Sequence, residues 1–153
     1  MLRSPDKLKL WLGLAEDWEN DSVNAEEAFL IARAAAGTLA GAASDAEVAD
    51  AMIQEDCART IVALLQSGNA ELVHRALVIV LELLSTEKRA VAEHLVVGGV
   101  VPAIGLVTKF NDPRLAELAM SCAASLSAVM QSSVSANTDN AIGDKHAAVE
   151  ELE

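Results

Sequence analysis

Apolar residues in this chain recur in step over a long interval. Ile31, Val73 and Leu115 stand 42 positions apart, as do Ala35, Leu77 and Ala119, and Leu64 and Leu106 keep the same interval. Each belongs to a segment whose apolar positions follow i, i+3, i+4 spacing, the mark of one buried helical face. Gly, Pro, Ser, Asn and Asp separate these segments, so the repeating element is a group of helices.

The helices can be placed from their stops and starts. Ser4-Pro5 opens a first helix carrying Leu8, Trp11, Leu12, Ala15 and Trp18 on one face. Asn24 with Glu27 starts a long helix through about Ala43, whose run from Ala32 to Gly41 is rich in small residues. Ser44 with Glu47 starts a short helix, and a third runs from Cys57 to Gln66 until Ser67-Gly68-Asn69 stops it. The cycle then repeats: a long helix over 70–84, a short one over 87–97, and a third after Gly98-Gly99 with Pro102 in its first turn. Asn111-Asp112-Pro113 opens a last long helix to about Gln131. A helical period near forty is that of armadillo and HEAT arrays, whose units cannot bury their apolar faces alone. The fold expected is all-α, an armadillo-type right-handed helical solenoid with two full three-helix repeats and partial units at each end. Residues 1–131 form the repeat domain, and 132–153, with few apolar residues, an acidic tail expected to be disordered.

Composition narrows the function. Hydrophobic residues make up 52% of the chain but aromatics only 3%, which suits close helix packing better than a roomy ligand pocket. A formal net charge of −12, from 23 acidic and 11 basic residues, argues against nucleic acid and anionic membranes, both of which need clustered Lys and Arg. The longest apolar run, 95–108, is interrupted by Gly98, Gly99, Pro102 and Gly105, and falls short of the ~20 residues a bilayer needs. Met1-Leu2-Arg3-Ser4-Pro5-Asp6 turns charged at once, unlike a signal peptide. Cys57 and Cys122 have no metal-type spacing and fall in apolar helices, reading as buried free thiols in a reducing cytoplasm.

Catalytic signatures are absent from the sequence. His74, His94 and His146 lie far apart with no metal-type cluster, and His94 takes the place of Met52 one interval earlier. Asp17, Glu19 and Asp21 alternate as in a calcium loop, but Ser22 stands where glycine is required and Ala28 where glutamate is. No nucleophile elbow or phosphate-binding glycine loop occurs. The chain is therefore expected to be no enzyme and to need no cofactor or metal. The remaining candidate is a partner surface on the third helix of each unit, around 7–17, 57–66 and 101–110. Lys7, Lys9, Arg59, Thr60 and Lys109 are its polar positions, and Trp11 its aromatic one.

Several segments are familiar in order. Asp6-Lys7-Leu8-Lys9-Leu10-Trp11-Leu12-Gly13-Leu14-Ala15-Glu16-Asp17 leads to Ala32-Arg33-Ala34-Ala35-Ala36-Gly37-Thr38-Leu39-Ala40, and then to Val73-His74-Arg75-Ala76-Leu77-Val78-Ile79-Val80. Over about residues 6–130 this resembles the C-terminal armadillo repeats of the UCS family of myosin chaperones. The resemblance implies a non-catalytic chaperone or co-chaperone that binds the myosin motor domain. Animal members also carry a tetratricopeptide domain for the ninety-kilodalton heat-shock chaperone, so contact with that machinery would run through regions outside these residues. The other reading open at this point is a general armadillo scaffold or adaptor with a non-myosin partner. With only two full units, exposed apolar ends are also expected to favour self-association.

Overall fold

The computed structural model describes residues 5–16, 25–109 and 111–152, with side chains described over 5–16, 26–109 and 111–132. Within them the chain is all-helical, with no strand. The order is α1 (Pro5–Glu16), α2 (Ala25–Ala42), α3 (Ala46–Gln54), α4 (Cys57–Leu65), α5 (Ala70–Leu84), α6 (Arg89–Val97), α7 (Val100–Val107) and α8 (Pro113–Leu152). The backbone of α8 thus continues as helix through the boundary drawn at 131/132. The alternating acidic positions at 17–21 and Trp18 lie outside the described residues.

Helix starts follow local capping chemistry. Asn69 Oδ1 accepts from the Glu71 and Leu72 amides at 2.9 and 3.3 Å, and Asp112 Oδ1 accepts from Arg114 at 3.0 Å ahead of Pro113. At α3 the cap is Asp45, one residue later than the Ser44 expected. Its carboxylate accepts from Glu47 and Val48 at 2.9 and 3.2 Å. The starts of α4 and α7 share a different device, a residue in the left-handed region, Asp56 at φ 56° and Gly99 at φ 85°. Glycine takes that conformation freely and aspartate is among the few residues that tolerate it.

These paired devices lie 43 residues apart (99−56 and 112−69), and burial follows the same interval. Val48, Ala49 and Met52 of α3 match Val91, Ala92 and Leu95 of α6 (91−48=43). Cys57, Thr60, Ile61 and Leu64 match Val100, Ala103, Ile104 and Val107, and Leu72, Ala76, Ile79 and Leu83 match Leu115, Ala119, Cys122 and Leu126. From α3–α5 to α6–α8 the interval is therefore 43, while between α2 and α5 it is 41 (73−32), Ala32, Ala35, Ala36, Leu39 and Ala43 matching Val73, Ala76, Leu77, Val80 and Leu84, all buried. Leu64 is fully buried while Leu106 is 54% exposed, and Ile31 is 43% exposed while Val73 and Leu115 are buried. Likewise the counterpart of Met52 is Leu95, not the half-buried His94. One residue turns a helix by about 100°. Because α5 is apolar around most of its circumference, a pattern read by eye matches at either interval, and only burial separates them.

Packing joins like helices. α2 lies against α5 and α5 against α8; α1 lies against α4 and α4 against α7; α3 lies against α6. The core they enclose is one apolar cluster running from Leu8 to Leu126. Each row also has a polar tie. Arg33 pairs with Glu71 at 3.2 Å, Lys88 with Asp50 at 2.9 Å and Arg59 with Glu16 at 3.3 Å, while Cys122 Sγ donates to the Leu77 carbonyl at 3.3 Å. Exposed ion pairs contribute about 0–1 kcal/mol, against roughly 1.5–3 kcal/mol for burying one large aliphatic side chain. Apolar contact therefore holds the rows together, and the ion pairs set register.

A polar junction joins α6 to α4. His94 Nε2, in the last turn of α6, accepts the Ala58 amide at 3.2 Å and so completes the first turn of α4, whose own N-cap Asp56 makes no side-chain cap bond. Beside it, a Cβ added to Gly98 would collide with the Ala58 Cβ. Gly98→Ala is expected to destabilise the fold by about 1–3 kcal/mol in urea unfolding. Since Gly98 has an ordinary φ of −75°, Ala58→Gly should recover part of that loss in a double-mutant cycle.

Candidate functional surface

The row α1, α4, α7 carries the residues singled out from the sequence. Lys7, Lys9, Arg59 and Lys109 are exposed, but Lys7 and Lys9 sit in the first half of α1 while Lys109 follows the end of α7, with α4 between those helices. Trp11 is half-buried and packs against the core, so it is no free aromatic anchor. Thr60 is 1% exposed, a correction to its reading as a partner-facing position. Its hydroxyl donates to Glu16 Oε1, while Arg59 approaches the other oxygen of the same carboxylate at 3.3 Å. Thr60 and Arg59 thus serve to fasten α4 to α1. Thr60 is buried because it lies one residue before Ile61 and four before Leu64, on the face turned toward the neighbouring helices.

A surface of mixed polar and apolar character lies on the other row. Leu30, Ala34, Gly37 and Gly41 share one face of α2 (i, i+4, i+7, i+11), and Glu71, Arg75, Val78 and Glu82 share one face of α5; none of the eight is buried. The two faces are bridged by the Arg33–Glu71 pair, whose hydrogen bonds measure 3.2 and 3.4 Å, and by Arg75, whose guanidinium occupies the space a Cβ on Gly37 would fill. Gly37 therefore makes room for Arg75. Gly41 has nothing within 4 Å of its Cβ direction, so the pair does not form a GxxxG helix seam. The Arg33–Gly37 and His74-Arg75 parts of the UCS-like segments meet here.

Apolar surface concentrates at the two ends. Leu10, Leu30 and Ile31 are exposed on α1 and α2, with a shallow depression of about 320 Å³ beside Leu10 and Leu14. On α6, α7 and α8 the exposed residues are Val96, Val97, Val101, Leu106 and Met120. Between these three helices lies a cleft of about 290 Å³, walled by Val96, Val101, Ile104, Leu126 and Met130 with Ser127 and Gln131 at its polar edge. Sequence reasoning anticipated bare ends but not this cleft. The signal was available in the 43-residue interval, which sets exposed Val101 opposite buried Ala58 and exposed Met120 opposite buried Leu77.

No group of three or more His, Cys, Asp or Glu able to hold a metal occurs among the described residues, and no single described helix is long and apolar enough to cross a membrane. No protein-family model matches the chain, and no curated protein matches it.

Both cysteines are buried and unpaired. Burial pushes each thiol from an ordinary 9.0 up to about 12, and at Cys57 the neighbouring Asp56 carboxylate adds to the rise. In the native protein both should resist thiol reagents at pH 8 and react fully on unfolding. The sign for stability follows from the same shift. The unfolded chain releases these protons near 9 and the folded chain near 12, so their contribution is complete below pH 9 and lost above it. The expected slope is about 1.4 kcal/mol per pH unit for each thiol. Urea unfolding between pH 8 and 10.5 should show this decline in the native chain and a shallower one in Cys57→Ala/Cys122→Ala.

Proposed function

We propose that this chain is a non-catalytic binding protein, an armadillo-type right-handed solenoid of two full three-helix repeats, α2–α4 and α5–α7, flanked by partial units α1 and α8. The supporting observation is that each helix type packs on its own kind one unit away, with buried positions and helix starts recurring at 43 residues from α3–α5 to α6–α8. Arrays of this kind work as extended holding surfaces. Within that class we propose a UCS-type chaperone or co-chaperone acting in the cytoplasm on the myosin motor domain. The UCS-like segments Arg33–Gly37 and His74-Arg75 support this, since their unburied members Arg33, Ala34, Gly37, His74 and Arg75 lie together on α2 and α5.

Holding would be by shape and charge along that face, with no nucleotide consumed. The face offers basic Arg33 and Arg75 beside acidic Glu71 and Glu82, with Leu30 as its exposed apolar member. Mixed charge beside apolar surface suits a partly unfolded client, whose own exposed groups are mixed. The other reading, a scaffold for a non-myosin partner, uses the same face and differs only in the client.

The immobilised chain is expected to capture the myosin motor domain and to lower its light scattering on mild heating. Leu30→Glu with His74→Glu, both at exposed positions, should reduce capture at least tenfold, whereas Lys7→Glu with Lys9→Glu should leave it within twofold. Failure of the native chain to bind or protect the motor domain would remove the chaperone proposal. A strong loss from the α1 variant alone would return the surface to the α1–α4–α7 row.

A further inference from the structure

The repeat interval shows what the exposed C-terminal face is shaped to meet. Ala58, Leu77, Val80 and Leu84 are buried because α7 and α8 lie over α4 and α5. Their counterparts 43 residues on, Val101, Met120, Ala123 and Ser127, are all exposed, and three of them line or adjoin the apolar cleft of α6–α8. They have the position of an interior interface, with nothing among the described residues packed on it. At the other end, α1 is of the same helix type as α4 and α7, and α2 of the same type as α5 and α8.

We propose that a second copy of this chain seats head to tail on this face, its α1 against α7 and its α2 against α8. The proposal rests on the stacked-repeat reading above and extends it. The two rows then continue without a break, α1–α4–α7–α1 and α2–α5–α8–α2, each new contact being of a kind already made inside the chain. Leu10 and Ile31, exposed on α1 and α2, supply the apolar groups of the incoming face. The two faces differ, so the contact is heterologous and each dimer keeps one open end of each kind. Such contacts extend instead of closing at two. A net charge of −12 on every copy opposes their approach, so added salt should strengthen the association.

The test is sedimentation of the full chain across rising concentration and salt, with far-UV circular dichroism confirming that each variant stays helical. The native chain should form a ladder of masses beyond the dimer. Leu10→Glu should block one face and Val101→Glu the other, each leaving a monomer, and Met120→Glu should repeat the second result. A mixture of Leu10→Glu and Val101→Glu should form a one-to-one dimer and stop there, because only one complementary pair of faces survives. A native chain that stays monomeric throughout would overturn the proposal. So would Leu10→Glu that still dimerises, since that contact would be symmetric between C-terminal faces. Motor-domain capture is read separately, so loss of either result leaves the other standing.

Discussion

A group of three short helices cannot enclose its own apolar surface, and the rest of this molecule follows from that. Helix α5 shows the constraint most plainly. It buries Leu72, Val73, Ala76, Leu77, Ile79, Val80, Leu83 and Leu84, which lie around most of its circumference, because α2 covers one side and α8 the other. Helix α8 belongs to the same type but has a neighbour on one side only, and it buries a stripe of Leu115, Ala119, Cys122 and Leu126. The difference between them is one of position. Helices of one type are apolar all round, or along one stripe, according to how many neighbours they have.

Polar chemistry is subordinate to this packing yet specific to it. The ties Arg33–Glu71, Lys88–Asp50 and Arg59–Glu16 each cross from one unit to the next, as do the Thr60 hydroxyl and the Cys122 thiol. None is strong alone. Their common direction fixes how far one unit is turned relative to its neighbour, which apolar contact by itself leaves loosely specified. The outward face of α2 and α5 inherits that precision, because Arg75 is seated over Gly37 by the same register.

The architecture was more legible in the sequence than the surface was. Among the described residues α1–α7 fall close to where their caps and stops place them, with α5 at 70–84, whereas α8 runs on past Gln131 to Leu152. The interval of 42 falls between the 41 of α2 to α5 and the 43 of the later helices, because a broadly apolar helix matches neighbouring spacings and the left-handed starts at Asp56 and Gly99 leave no hydropathy signal. Thr60 was misplaced for a related reason. A hydroxyl between Arg59 and Ile61 reads as surface until the carboxylate that accepts its proton, 44 positions earlier, is brought alongside. Contacts of that range are set by how α1 meets α4, and no local pattern encodes them. The buried thiols, by contrast, could be read directly, since both cysteines sit among aliphatic neighbours on one helical face.

The bond from the Ala58 amide to His94 links events along the chain as well as across the fold. The opening turn of α4 is finished by an imidazole 36 positions farther on, so that turn stays incomplete until the second helix of the following unit has formed. During synthesis the first triplet would leave the ribosome with an open donor at its third helix, and it would close only after His94 emerged. Water serves that donor until then, and the bond to His94 afterwards couples the first triplet to the second.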